Sequence, residues 1–204
     1  MRKIQVKKKV ICLGLAIIFA ATLTTFLAEQ DIRTTQAHMA QEVFRFHVLA
    51  NSDRELDQIL KMKVKENVIS YMKKQLPSSD SVKTTKRWAV SHQAQIANVS
   101  RMTLQSEKCK DHVRVEITNC YFPEKTYGDI TFPKGEYDAL RVMIGNAEGK
   151  NWWCVLYPNL CFMDAVHAVV PEEGKKELKN VLAEEEYEMV TALSRFKVKW
   201  FFFR

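Results

Sequence analysis

The chain has 204 residues, of which 47% are hydrophobic and 27% are charged, and this composition excludes a disordered chain, a collagen-like chain and a polytopic membrane protein. Its net charge of +7 is concentrated at the N-terminus, because residues 1–28 contain five basic residues and no acidic one. The other 176 residues contain 26 basic and 24 acidic residues, a balance that does not indicate binding to the phosphate backbone of a nucleic acid.

The N-terminus has the pattern of an export signal. The five basic residues precede Val10–Ala28, a run of nineteen residues without a charge. A basic segment before a short apolar core is typical of a secretory signal, and nineteen residues could also span a bilayer. The positive charge before the run keeps the N-terminus in the cytoplasm, so the rest of the chain is predicted to be exported. Residues 1–28 are therefore either a cleaved signal peptide or an uncleaved signal anchor.

The segment after the signal begins with a polar stretch. Residues 29–41 show no strong periodicity and are predicted to form a short linker. Residues 42–204 are predicted to form a single exported domain, which we call the body. Its first strand is Val43–Ala50, with Phe44, Phe46 and Val48 on one face and Arg45 and His47 on the other.

A helix is predicted directly after this strand. Ser52–Glu55 fits a capping box, S-x-x-E, at the start of a helix. Apolar residues then recur at steps of four, and two further residues widen the apolar stripe. The stripe consists of Leu56, Leu60, Val64, Val68 and Met72, widened by Ile59 and Tyr71.

The middle of the chain is predicted to be helical, and the following part to be rich in strands. Val82–Glu107 reads as two shorter helices, or one helix broken near residues 92–95, with Trp88, Ile96, Val99 and Met102 as core contacts. From His112 the hydrophobic period changes to two. Strands are predicted from His112, at Ile130–Phe132, at Glu136–Gly145 and at Asn151–Tyr157, and the last two are predicted to form a hairpin. A helix at Glu172–Leu182 and a strand at Phe196–Phe202 follow.

These elements predict an α+β fold. One helical block separates the first strand from the others, and short turns join the later strands, so most neighbouring strands should be antiparallel. We expect a mainly antiparallel sheet with helices packed on one face, preceded by the N-terminal signal or anchor segment.

Four cysteines lie in the part predicted to be exported: Cys109, Cys120, Cys154 and Cys161. An even number of cysteines outside the cytoplasm permits two disulfides with three connectivities, and four free thiols are the alternative. No pair has the C-x-x-C spacing, so a zinc site is not predicted. We favour a single bridge between Cys154 and Cys161.

Cys154, which follows Trp152 and Trp153, is a candidate nucleophile. A catalytic thiolate needs a nearby imidazole and an environment that lowers its pKa, whereas Cys154 lies in the middle of a predicted strand. No catalytic residue, metal site, cofactor or small-molecule substrate is predicted. An exported cysteine hydrolase acting on cell wall or peptide through Cys154 is kept as the alternative.

A recognition surface is the more interesting hypothesis. Arg45 and His47 share the mixed face of the first strand, and Arg141 could lie on a comparable face of a later strand. The plainer interpretation is an exposed or edge face. Exposed Trp and Arg are frequent anchors of protein interfaces. The candidate contact residues are Arg45, His47, Asn51, Asp53, Arg141, Asn151, Trp152 and Trp153.

Four sequence strings together resemble a known family. They are FRFHVLANSD at Phe44–Asp53, the Phe122-Pro123 to Tyr127-Gly128 segment, the Phe132-Pro133 to Arg141-Val142 segment, and NWWCVLYPNLCF at Asn151–Phe162. The set is similar to the stage II sporulation protein R family of endospore-forming Firmicutes and covers residues 42–164. Residue 159 is Asn where the family pattern suggests a second Pro.

The resemblance implies a signalling protein and not an enzyme. Members of that family are made in the forespore and exported into the space between its two membranes. There they activate a membrane-embedded aspartic protease of the mother cell, which removes the pro-sequence of a sigma factor. By this analogy the partner is that protease. The loop Asn51–Asp53 and the segment Asn151–Cys161 are predicted to form the contact surface.

Overall fold

The computed structural model describes residues 2–77, 81–162 and 170–192, with side chains from Leu13 onward. Its helices are α1 (Arg2–Glu42), α2 (Glu55–Gln75), α3 (Val82–Ser91), α4 (Gln93–Ser106), α5 (Glu172–Val181) and α6 (residues 184–192). Its strands are β1 (Phe44–Leu49), β2 (Val113–Phe122), β3 (Lys125–Tyr127), β4 (Ile130–Phe132), β5 (Gly135–Ile144) and β6 (Asn151–Tyr157), and a 3₁₀ turn covers Leu160–Phe162. The predicted strand Phe196–Phe202 lies outside the described residues.

The main sheet has four strands in the order β2-β5-β1-β6, and β3 and β4 form a separate two-stranded sheet. Two of the three pairings in the main sheet are antiparallel, whereas β1 and β5 are parallel. The predicted α+β class with a mainly antiparallel sheet is therefore confirmed. The predicted hairpin of β5 with β6 is wrong, because β1 lies between these two strands.

Both faces of the sheet are covered. Helices α2, α3 and α4 pack on the face that carries Phe46, Val48 and Leu140, as predicted for one layer of helices. The opposite face is covered by the β3–β4 pair, the end of α1 and the C-terminal helices, which form a second cluster around Phe122 and Tyr137. Burial on both faces explains why every residue of β1 is buried.

Helix α2 begins later, and with a different buried face, than the sequence pattern predicts. Its N-cap is Arg54, and Ser52 bonds to the side chain of Asp57 instead of forming a capping box. The buried stripe contains Asp57 and Lys61 beside Leu60, Val64, Val68 and Met72. Two residues of the predicted stripe, Leu56 and Ile59, are consequently exposed, at 64% and 46%.

The predicted helical block between Val82 and Glu107 is confirmed as two helices, α3 and α4, which meet at His92. Trp88 and Ile96 are buried as predicted, whereas Met102 is 60% exposed and does not belong to the core. The strand predicted from His112 is β2, which covers ten residues.

Helix α1 is continuous from the uncharged run to the first strand. The part Leu13–Glu42 is long and apolar enough to cross a membrane, and its apolar window is not buried by the rest of the protein. This fits a signal or an anchor. The segment 29–41, predicted as a linker, is helical, and its last residues pack against the body through the fully buried Met39. There His38 Nδ1 lies 2.5 Å from Oε1 of the buried Glu186.

The strand directions divide the body into two ends. Strand β1 starts two residues after α1 and runs away from it for six residues, or about 20 Å. We call the end where β1 and β5 begin the anchor end. The opposite end, where β1 and β5 finish and β2 and β6 begin, is the far end.

Candidate functional site

Arg45 lies in the core and not on a contact surface. It is fully buried on β1, between Ala139 of β5 and Val155 of β6. Its Nε donates a hydrogen bond to the Cys154 carbonyl (3.2 Å), and its Nη2 donates one to the Tyr127 hydroxyl (3.0 Å). No part of its side chain reaches the surface, so the contact surface that we propose below leaves Arg45 out.

The Arg45 guanidinium is surrounded by four aromatic rings, where a buried arginine would ordinarily have a carboxylate as its ion-pair partner. Its central carbon lies 4.5–5.8 Å from the ring centres of Phe122, Tyr137, Phe132 and Tyr127. Among the described residues, no acidic side chain forms an ion pair with it. An arginine is suited to this position because its guanidinium is weakly hydrated and stacks on aromatic faces. Arg45 therefore organises the second core cluster.

His47 is also buried, at 3% exposure, and is likewise left out of the proposed contact surface. Its ring stacks on Trp153 with centres 4.8 Å apart. Burial lowers the pKa of His47 to about 3, with the positive charges of Arg141 and Arg45 contributing. The imidazole is thus neutral at physiological pH, which excludes a protonation switch at this residue.

A cysteine lies next to His47, but the pair is not set up for catalysis. Cys120 Sγ is 3.8 Å from His47 Nε2. Burial raises the pKa of the Cys120 thiol, so the nucleophilic thiolate is disfavoured. A catalytic pair needs the opposite shift, a thiolate beside an imidazolium. The arrangement therefore serves packing.

Cys154 and Cys161 form a disulfide with Cα atoms 5.6 Å apart, and Cys109 and Cys120 are free. The bridge joins β6 to the 3₁₀ turn. A bonded sulfur is not a nucleophile, which argues against the hydrolase alternative. No group of three or more potential ligands that could hold a metal occurs among the described residues.

The disulfide leads to a prediction on stability. The separation of seven residues closes a small loop, and removing such a bridge costs about 2.5 kcal/mol in the loop-entropy treatment. Cys154→Ser, Cys161→Ser and the double variant should therefore lower the free energy of unfolding by the same amount, measured by urea unfolding under non-reducing conditions. Cys109→Ser is the matched control. A double variant twice as destabilised as either single variant would contradict the bridge.

The loop Asn51–Asp53 holds the connection between β5 and β6. Asn51 Oδ1 accepts a hydrogen bond from the Asn146 backbone N–H (2.9 Å), and Asp53 Oδ1 accepts one from Lys150 (2.7 Å). The connection thereby crosses the end of β1, which explains how β6 reaches the far side of that strand. Asn51 and Asp53 therefore lie at the far end, where their side chains hold the β5–β6 connection in place.

Asp57 is the centre of a hydrogen-bond network under this loop. Its carboxylate accepts bonds from Ser52 Oγ (2.5 Å) and Arg54 Nε (3.1 Å). The bond from Ser52, followed by those from Arg54 and Asn51, lowers the pKa of Asp57, although burial acts in the opposite direction.

A lowered pKa gives this network a defined pH dependence. Its stabilisation should be complete above about pH 4, the ordinary range of an unfolded aspartate, and lost as the pH falls through the lower pKa of the folded protein. Asp57→Asn should therefore destabilise the protein at pH 7, and the difference from wild type should narrow on acidification below pH 4. Urea unfolding of both proteins at pH 7 and below pH 4 measures this difference, and Glu55→Gln, at an exposed position, is the control. A constant difference would contradict it.

The remaining candidates are partly exposed. Arg141 Nη1 donates to Glu116 Oε1 (2.6 Å) across β5 and β2. Asn151 is half-buried at the far end, at the start of β6. Trp152 and Trp153 point to opposite faces, as adjacent strand residues must, and each packs on its own core cluster. Lys65 lies over the Trp152 ring and Lys125 over the Trp153 ring.

The far end also exposes an apolar surface that the sequence pattern did not predict. Leu56 and Ile59 project from the first turns of α2, next to the loop Asn51–Asp53. A helical wheel centred on Val64 and Val68 would have found them, since it places Asp57 and Lys61 towards the core and Leu56 and Ile59 outside it. Lys61 can be buried there because its Nζ donates to the Lys150 carbonyl (3.0 Å) and to Gln58.

Comparisons with known proteins agree in pointing to one family. The family model described as Stage II sporulation protein R matches residues 40–167. A curated protein named Stage II sporulation protein R, from Bacillus subtilis (strain 168), is 30% identical over 190 residues, which are 91% of this chain and 85% of that protein. No solved structure matches this chain.

Proposed function

This chain belongs to the stage II sporulation protein R family, and on that premise we propose that it is an exported signalling protein that activates a membrane-embedded aspartic protease. Its role in sporulation follows from the family. The finer proposal is that the body acts in the space between the forespore and mother-cell membranes. There it binds the protease of the mother cell, and the protease removes the pro-sequence of a sigma factor.

The observation that carries this proposal is the placement of two apolar surfaces at opposite ends of the molecule. Helix α1 leaves from the anchor end, and Leu56 and Ile59 are exposed at the far end. A protein held in one membrane and acting on a partner in the opposing membrane needs its contact surface at the end away from its anchor. Leu56 and Ile59 are neighbours at i and i+3 of a helix, and contiguous exposed apolar side chains suit a protein contact.

The contact surface we propose differs from the predicted one. It consists of Leu56, Ile59 and the exposed edges of the loop 51–54 and of Asn151. Activation by such a ligand requires only that it binds the active conformation of the protease more tightly than the inactive one. The ligand itself then needs no catalytic group or cofactor.

Reconstitution in a non-sporulating host tests the proposal. The chain is co-expressed with the candidate protease and the pro-sigma factor, and removal of the pro-sequence is followed on a gel. Parallel cultures omit the chain, lack residues 1–28, or carry Cys154→Ser. We expect processing only when the chain is present with its export segment.

The result that would overturn the proposal is the absence of any effect of the chain when the protease and its substrate are both shown to be present. The culture with Cys154→Ser distinguishes the signalling ligand from a cysteine hydrolase. A ligand retains signalling to the extent that its fold survives, whereas a hydrolase acting through Cys154 loses all turnover with its fold intact.

A further inference from the structure

A surface of one charge sign lies at the anchor end of the α2–α3 helix pair. We propose that its exposed basic residues Lys73, Lys74, Lys83 and Arg87 bind the headgroups of anionic phospholipids in the membrane that holds α1. The surface would be a second contact of the protein with that membrane, separate from α1. The proposal rests on the export and anchoring of α1 and does not depend on the protease.

The charge distribution is the first argument. Residues 67–106 contain six basic residues and one acidic residue, Asp80, although the body as a whole is nearly neutral. Lys73, Lys74, Lys83 and Arg87 are all exposed, and none of them forms an ion pair with another described residue. At the far end, by contrast, the exposed basic residues are interspersed with acidic ones: Lys108, Lys110 and Lys150 lie among Glu107, Asp111 and Glu148.

The position of α3 is the second argument. Trp88 Nε1 donates a hydrogen bond to the Gln75 carbonyl (3.1 Å), which fixes α3 against the end of α2. Lys86 Nζ donates to Asp138 Oδ2 (2.5 Å), near the start of β5. Lys86 also lines a groove of about 590 Å³ together with Ala37 and Ala40 of α1. The basic surface therefore lies beside the last turns of the membrane helix.

The distance to the bilayer is short enough for headgroup contact. The uncharged run ends at Ala28, and Gln36, where α1 meets the body, is eight residues further on, or about 12 Å along the helix. The headgroup layer on each side of a bilayer is about 5–8 Å thick. Lysine and arginine side chains at the anchor end are long enough to extend into that gap.

The chemistry of the surface favours lipid over protein as its occupant. Four flexible cations spread over two helix ends, none of them ion-paired with a described acidic residue, attract a sheet of negative charge but do not specify a protein surface. The exposed Val90, on the same face of α3 as Arg87, adds an apolar contact at the level of the headgroups.

Amine labelling of the full chain in vesicles tests the proposal. The chain is inserted into vesicles of phosphatidylcholine alone or with added phosphatidylglycerol, and flotation first shows that α1 has inserted in both. A water-soluble acylating reagent is then applied, and modified lysines are quantified by mass spectrometry. We expect Lys73, Lys74 and Lys83 to be protected about fivefold in the anionic vesicles, the factor associated with one basic residue at such a surface.

The controls are contained in the same chain. Lys108 and Lys150, at the far end, should be labelled equally in both vesicle types, and high salt should abolish the protection of the other three. Arg87→Gln should weaken that protection, whereas Arg114→Gln, at the far end, should not.

Equal labelling of Lys83 in neutral and anionic vesicles would overturn the proposal. Protection that appears only after the protease is added would also overturn it, and would assign the surface to a protein partner. A chain that floats with neither vesicle type would instead contradict the anchoring on which the proposal rests. Neither labelling result changes the outcome expected in the reconstituted protease assay.

Discussion

Replacing Arg45 with alanine is expected to lower the free energy of unfolding by about 3–5 kcal/mol, the range found when a large buried side chain is truncated. The change would leave a cavity among the four rings that surround the guanidinium. It would also leave the Cys154 carbonyl and the Tyr127 hydroxyl without their donor. Urea unfolding followed by tryptophan fluorescence measures the effect.

Two further variants separate the causes of this effect. Arg45→Met keeps most of the volume but removes the charge and the donors, so it should lie between wild type and Arg45→Ala. Arg141→Ala removes a partly exposed pair with Glu116 on the same sheet and should cost less than about 1 kcal/mol. If Arg45→Ala were no more destabilising than Arg141→Ala, the aromatic surroundings of Arg45 would have no role in stability.

The second large effect is expected on signalling. The double variant Leu56→Glu, Ile59→Glu should reduce pro-sequence removal in the reconstituted assay at limiting amounts of the chain. Loss of a central apolar contact typically costs at least about 2 kcal/mol, or roughly thirtyfold in affinity. Both side chains are exposed, so the stability should change by less than about 0.5 kcal/mol per site. Glutamate in the first turns of a helix is also favourable to the helix dipole.

A matched control lies on another helix. Met102 is exposed to a similar extent, at 60%, but on α4, so Met102→Glu should leave processing unchanged. The amount of each exported protein is measured on the same gel. Normal processing by the Leu56, Ile59 variant at limiting protein would remove the far end of α2 from the proposed contact surface.

The local elements were predictable because each one has its own hydrophobic period. The break between α3 and α4, the strand β6 and the short β4 all follow from patterns within about ten residues. The order of the strands was not predictable in this way. A six-residue connection between β5 and β6 favours a hairpin, whereas in the structure the distant loop Asn51–Asp53 holds this connection across the end of β1.

The burial of Arg45 and His47 was not predictable for a similar reason. An arginine and a histidine on one face of a strand predict an exposed face, because the rings that enclose Arg45 come from segments about 80 to 90 residues further along the chain. At the start of α2 the difference between prediction and structure is one residue. Apolar residues at steps of four predict that Leu56 is buried, whereas the structure buries the next residue, Asp57. The Asp57 carboxylate can be buried there because Ser52 and Arg54 donate hydrogen bonds to it.

If the chain is exported as we propose, the central place of β1 in the sheet determines when it can fold after crossing the membrane. Arg45 pairs with Ala139 on one side and with Val155 on the other, so the first strand to emerge waits for neighbours 94 and 110 residues behind it. At a synthesis rate of about 5–20 residues per second, that wait is on the order of ten seconds. During this time β1 is an unpaired strand with one apolar face and one face that carries Arg45 and His47. Late closure of the sheet would keep the chain unfolded, as translocation requires, until nearly all of it has crossed the membrane. The same interval would be the period in which the chain is most exposed to proteases and aggregation.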